Sequence, residues 1–329
     1  MRKCLWPLIL CLSVYLMLCT AAAIFLANVT LHPQRRSLPA NAEAEMRQMV
    51  GKFGARLTNV SVNAFDHAQL RAWYIEQHQG NGDAIILLHG QGDNRFGMVG
   101  YAQILLAHGY SVLMPDARAH RESGGDLATY GVLERNDIRR WFDWLHSNIH
   151  PGCVFGMGES MGAAELLQAL DVEPNFCAVV AESSFSDFRK IAYDRMGQYF
   201  HAGPWLGRTV LRPVVELALA YVHMKYDLNL AAASPSRAIA HTSVPVFLIH
   251  GEKDSNIPVY HSRWIKAENS NVELWEVPGA DHCGAISVAP QELEHKIVIW
   301  FEVHTHHTNR LRSGSFPSPV FEFLAEGSD

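Results

Sequence analysis

Read from its amino terminus, the chain opens on an uncharged, largely apolar run from Cys4 to Ala27, preceded by Met1-Arg2-Lys3. Polar and apolar positions then mix through 28–50, with Pro33, Pro39 and one amphipathic piece at Ala42–Val50. From Arg56 the pattern shortens into strand-like runs at Leu57–Phe65 and Leu70–Gln77. An alternation follows. Strand runs at Ala84–His89, Tyr110–Pro115, Cys153–Met157, Phe176–Ala181, Val244–His250 and Val272–Val277 are separated by longer segments. Helical spacing marks Met98–His108, Leu133–Ser147, Met161–Leu170, Pro258–Ala267 and Glu292–Val303. Short buried strands alternating with helices predict an α/β fold whose mostly parallel central sheet is covered on both faces. The stretch 188–233 breaks the rhythm: Tyr193, Trp205 and Tyr221 recur there without a strand signal, which predicts an inserted helical cap. Its apolar side chains are expected both to pack the cap and to face a pocket. The expected organisation is a membrane segment over 1–27, a juxtamembrane linker over 28–54, an α/β domain over 55–303, and a loosely ordered tail over 304–329.

The first run is long enough to cross a bilayer, which takes about 20 apolar residues. Ala21-Ala22-Ala23 offers a signal-peptidase site. The apolar character continues past it through Ile24, Phe25 and Leu26, which favours an uncleaved anchor over a secreted form. Neither Cys11 nor Cys19 is preceded by the small residue that lipidation requires. Arg2 and Lys3 precede the run and Arg35 and Arg36 follow it, so charge bias leans toward a cytoplasmic amino terminus and an exported main domain. Asn28-Val29-Thr30 and Asn59-Val60-Ser61 fit the glycosylation pattern, which matters only in a eukaryotic secretory setting.

At 329 residues, with 48% hydrophobic and 18% charged positions, the chain has ample apolar surface to bury and is not a disordered protein. Its 33 acidic and 27 basic residues leave a net charge of −6, which argues against a nucleic-acid partner. The six cysteines show no CxxC spacing and are expected to form neither a disulfide framework nor a zinc site. His304, His306 and His307 near the end lack ligand spacing and read as solvated. No metal, cofactor or obligate protein partner is implied.

Candidate chemistry enters at Gly158-Glu159-Ser160-Met161-Gly162, which sits between a strand run and a helical one. A serine on so sharp a turn needs small neighbours, and Gly158 and Gly162 supply them. A serine hydroxyl needs a base, and the base an orienting carboxylate. Asp254 follows the strand Val244–His250 and His282 follows the next, Val272–Val277, giving the order Ser160, Asp254, His282. Glu182 and Asp187, after the strand Phe176–Ala181, are alternative acids. Asp281 is too close to His282 in sequence to be the first choice for orienting its ring. Two backbone N–H groups are needed for the oxyanion, and these are assigned to Met161, after the nucleophile, and Gln91, after the first parallel strand. Cys283, beside the base, reads as a packing residue, since a thiol needs an activating environment to react.

These residues resemble the serine hydrolases of the α/β-hydrolase superfamily over about 55–302. His89-Gly90, the Gly158–Gly162 turn, Asp254 and His282 carry the resemblance. The sequence is similar to anchored or exported members of the lysophospholipase, serine-aminopeptidase and prolyl-oligopeptidase-like group. Pro115-Asp116-Ala117-Arg118-Ala119-His120-Arg121-Glu122-Ser123 resembles that group's D-x-R-G-H-G-x-S loop, with Ala119 and Arg121 where glycines are usual. The resemblance implies hydrolysis through an acyl-serine intermediate without metal or organic cofactor. The reading is a single-pass anchored hydrolase of an ester, thioester or related acyl bond, acting on a small-molecule or lipid substrate. A peptidase or amidase uses the same machinery, and a non-catalytic scaffold retaining the fold is the alternative of another class.

Overall fold

The computed structural model describes residues 5–305, so Cys4, His306, His307 and the remaining tail lie outside the described residues. In chain order the main elements are helix α1 (Leu5–Leu31), α2 (Ala42–Lys52), strands β1 (Ala55–Asn63), β2 (Gln69–Gln77) and β3 (Ala84–Leu88). Then come α3 (Val99–Ala107), β4 (Ser111–Pro115), α4 (Glu134–Asn148), β5 (Val154–Glu159), α5 (Ser160–Ala169) and β6 (Val179–Glu182). The helices α6 (Phe188–Tyr199), α7 (Pro204–Arg208), α8 (Arg212–Tyr226) and α9 (Pro235–Ile239) follow without a strand. The series closes with β7 (Val246–Gly251), α10 (Tyr260–Glu268), β8 (Val272–Val277), α11 (Ala285–Val288) and α12 (Pro290–Val303).

Among the described residues the sheet has eight strands in the order β1-β2-β4-β3-β5-β6-β7-β8. β1 and β2 pair antiparallel, as do β2 and β4, and every pairing beyond that is parallel. The alternation of side chains across the pleat explains why β3 is apolar throughout. Ile85 and Leu87 join α3 and α12 in one core, while Ile86 and Leu88 join α4, α5 and α10 in the other. Because β4 lies on one side of β3 and β5 on the other, the connections diverge at the carboxyl ends of β3 and β5. That is where ligands bind in open sheets of this kind.

The segment before β1 is not a bare linker. Met46 and Val50 of α2 are buried in the core on the α3 side of the sheet. The cysteines correct another expectation: Cys153 and Cys177 form a disulfide with Cα atoms 5.8 Å apart. The two residues precede neighbouring parallel strands, β5 and β6, and the adjacency of those strands, extended by the bond from Cys177 N–H to the Val154 carbonyl, brings them together although 24 positions separate them. Spacing rules for metal or redox motifs do not detect a pair created by strand adjacency. His304 also departs from the solvated reading, since its Nδ1 bonds the Trp300 carbonyl at 2.7 Å.

Candidate active site

β5 delivers Ser160 at its carboxyl end, and α5 begins on it. The turn forces Ser160 to a φ of 51°, a left-handed conformation that side-chain-bearing residues rarely adopt. Close approach on both sides keeps it there. A Cβ on Gly158 would lie 2.7 Å from the backbone of Gly162, and one on Gly162 would lie 2.6 Å from the Leu88 and His89 carbonyls. Only glycine fits at either place. The result is a hydroxyl lifted above the strand ends at the positive end of a helix.

The loops after β7 and β8 bring Asp254 and His282 to that hydroxyl. His282 Nε2 lies 2.9 Å from Ser160 Oγ, and His282 Nδ1 lies 2.8 Å from Asp254 Oδ2. The partners define the tautomer: Nδ1–H donates to the carboxylate and Nε2 accepts from the serine. Asp254 is buried and well supplied with donors. Its Oδ1 accepts the backbone N–H groups of Asn256 and Ile257, at 2.9 and 2.7 Å, and His250 stands 3.3 Å from its Oδ2. Burial alone would raise its pKa, but the His250 and His282 contacts outweigh it and hold the carboxyl well below the usual carboxylate range. A carboxylate that stays ionised is what an orienting acid requires.

The other carboxylates are engaged elsewhere. Asp281 accepts from Ser255 N–H at 2.7 Å and from its own neighbour's N–H, His282, at 2.8 Å, and so ties the Asp254 loop to the His282 loop. Glu182 accepts from Tyr101 Oη at 2.5 Å and from Ala285 N–H at 3.1 Å. Asp187 caps α6 through the N–H groups of Arg189 and Lys190. The thiol of Cys283 is pushed up by burial and by the neighbouring carboxyls of Glu159 and Glu182, which is the opposite of activation.

Gln91 and Met161 both border the cavity above Ser160, and a Cβ built on Gly90 would fall 3.5 Å from Ser160 Cβ. That loop is held by the Asp116–Ser123 segment, through contacts that have no local signature in the sequence. His120 Nε2 accepts from Gly92 N–H at 3.1 Å, and His89 Nε2 accepts from Ala117 N–H at 3.0 Å. The two rings pack edge to face with centroids 5.2 Å apart. Burial pushes His120 down to about 4, so it is neutral and able to accept at neutral pH. Beneath them, Arg95 forms a buried ion pair with Asp116 at 2.6 Å. Ala119 and Arg121 take φ values of 59° and 37°, so the loop keeps a left-handed turn at both positions that usually carry glycine.

The cavity has a volume of about 610 Å³ and is lined mainly by apolar side chains, among them Met161, Phe185, Phe188, Met196 and Val222. Arg36 and Arg195 add positive charge at its border. Among the described residues no group of three or more histidine, cysteine or carboxylate side chains is arranged to hold a metal ion.

Comparison with known proteins bears on the family and the fold. The chain is similar to the Pyrococcus furiosus esterase Pf2001, with a TM-score of 0.66 and 25% identity, covering 83% of this chain and 98% of that one. It is 27% identical over 194 residues to YqkD, an uncharacterized protein of Bacillus subtilis, across 58% of this chain and 61% of YqkD, so the match spans about three fifths of that relative. It is 24% identical over 198 residues to the lysophosphatidylserine lipase ABHD12 of Danio rerio, across 56% of this chain and 47% of that protein. Residues 85–295 match the alpha/beta hydrolase family. With the sheet order, the turn at Ser160 and that match together, the chain belongs to the alpha/beta hydrolase family.

Proposed function

We propose that this protein is a serine hydrolase that cleaves a carboxylic ester, thioester or related acyl bond of an apolar, lipid-like substrate through an acyl-serine intermediate. The observation that carries the reading is the hydrogen-bonded series Ser160, His282, Asp254, at 2.9 and 2.8 Å. Ser160 Oγ attacks the carbonyl carbon as its proton passes to His282 Nε2, and the imidazolium that forms is stabilised by Asp254. The backbone N–H groups of Gln91 and Met161 receive the oxyanion. His282 then protonates the leaving oxygen or sulfur, and a water molecule deprotonated by the same ring releases the acid.

The apolar cavity supports an acyl substrate, and the names of the P. furiosus esterase and of the zebrafish lipase point the same way. α1 is long and apolar enough to cross a membrane, which supports an anchored enzyme. The Cys153–Cys177 disulfide supports placing the catalytic domain on the oxidising side. The test is labelling of the full chain with a fluorophosphonate and turnover of p-nitrophenyl esters. Expected are a single label on Ser160, lost in Ser160→Ala, and a preference for acyl chains longer than acetyl. No label and no turnover in a folded preparation would leave a scaffold.

A further inference from the structure

One wall of the cavity comes from outside the α/β domain and its cap. Leu26, Ala27, Val29 and Thr30, in the last turns of α1, line the same space as Ser160 and His282. The helix is seated by one face. Cys19, Ala23, Ala27 and Leu31 recur every four residues and are all buried, at 0–5% exposure. Cys19 and Ala23 pack with Met196, Val214 and Val215 of the cap, while Ala27 and Leu31 join Met161, Phe188 and Val222 around the cavity. Polar ties fix the helix lengthwise. Tyr130 Oη donates to the Thr30 carbonyl at 3.0 Å and Ala128 N–H to the Leu31 carbonyl at 2.9 Å. Lys225 and Tyr226 reach Asn28 Oδ1 at 3.3 and 3.2 Å. Just beyond, the Arg35 guanidinium donates to the carbonyls of Arg121, Ser123 and Gly125 at 3.1, 2.6 and 2.7 Å.

We infer that the end of α1 is an acyl-binding subsite, so that the amino-terminal helix is retained in the mature protein and its side chains at positions 26, 27 and 29 set which acyl chains are accepted. The inference rests on the acyl-hydrolase reading above. A tether needs only length and apolarity, and neither explains a buried face that ends beside the nucleophile. Excision after Ala23 would strip Cys19 and Ala23 from the cap and leave a charged amine at Ile24, one turn from the cavity. Val29 both borders the cavity and is 56% exposed, so the opening adjoins the outer surface of the same helix. An acyl chain lying along α1 has a short apolar path to Ser160.

The test uses the full chain in detergent micelles. Ala27→Leu places a larger side chain in the cavity wall, and Leu26→Ala removes one. Expected is a ratio of kcat/KM for dodecanoyl over butanoyl p-nitrophenyl ester that falls about 10-fold in Ala27→Leu and rises in Leu26→Ala. Phe25→Ala, on the exposed face, should leave the ratio at the parent value. Fluorophosphonate labelling of each variant reports that the nucleophile is assembled. Labelled variants whose chain-length profiles overlay the parent's would overturn the subsite, whereas a parent that hydrolyses no ester would instead defeat the acyl-hydrolase reading. Intact mass of the membrane-extracted protein should include residues before Ala23, and a mature chain beginning at Ile24 would overturn retention.

Discussion

His120 accepts the backbone N–H of Gly92 through Nε2 at 3.1 Å, while its Nδ1–H donates to the Arg118 carbonyl at 2.9 Å. The ring is thus held as one neutral tautomer under the loop that carries Gln91. His120→Ala is expected to lower kcat roughly 10-fold with little change in KM, less than the ~100-fold or more that follows deletion of an oxyanion donor itself. His120→Gln, whose carbonyl can accept from Gly92, should recover most of the loss. Because the folded pKa of about 4 lies below the ordinary 6.5, the unfolded chain takes up the proton first. Stability conferred by this site therefore declines as pH falls from 6.5 toward 4, and His120→Gln should flatten that part of a melting-temperature profile.

Asp254 and Glu159 stand on either side of Ser160 with opposite electrostatics, the first held low and the second pushed up. Asp254→Asn, which leaves His282 without its orienting charge, should cost about 10⁴-fold in kcat while fold and substrate binding persist. Circular dichroism and steady-state kinetics on the same preparation separate the two effects.

Burial beside Glu182 raises Glu159 to about 8 from an ordinary 4.5. Between those values the unfolded chain ionises and the folded one does not, so the native state loses stability as pH rises across that window. Glu159→Gln removes the difference. The variant's melting temperature should gain on the parent's steadily from pH 5 to 8, and a constant offset across the range would contradict the assignment.

The Cys153–Cys177 bridge closes a loop between neighbouring strands. Replacing both residues by alanine should lower stability by about 3 kcal/mol, in line with the loop it closes. Chemical denaturation with and without reductant checks this, and the double variant should be insensitive to reductant.

Ala119 pays a steric penalty at a φ of 59° that glycine would not. Ala119→Gly is expected to stabilise by about 0.5–1 kcal/mol, since relief of the left-handed strain exceeds the backbone entropy that glycine loses. Differential scanning calorimetry would show a small upward shift.

The parts of this molecule legible in its sequence are those written in local patterns. β3 is five consecutive buried aliphatic or alanine positions, so it could be read without knowing its neighbours. Ser160, Asp254 and His282 each follow a strand run, and their chain order carried the rest. What escaped depends on contacts between distant segments. Cys153 and Cys177 pair because β5 and β6 are adjacent in the sheet, and adjacency is not a spacing. α1 read as a membrane crossing because its hydropathy is uniform, and nothing local marks Cys19, Ala23 and Ala27 as a docking face rather than as small apolar residues in lipid. The Asp116–Ser123 loop lies between these cases: its residue pattern is recognisable, but the bond from Gly92 N–H to His120 joins segments 28 positions apart and leaves no local trace.

On the proposed anchored reading, the seating of α1 bears on how copies of this protein would meet in a bilayer. Single helices associate in lipid through stripes of small residues that let two backbones approach. Here the stripe of Cys19, Ala23 and Ala27 is spent within its own polypeptide, and the faces turned outward carry Trp6, Leu8, Leu12, Met17, Leu18 and Phe25. Such bulky flanks solvate well in hydrocarbon and interlock poorly with a twin, so on that reading the fold disfavours pairing through α1.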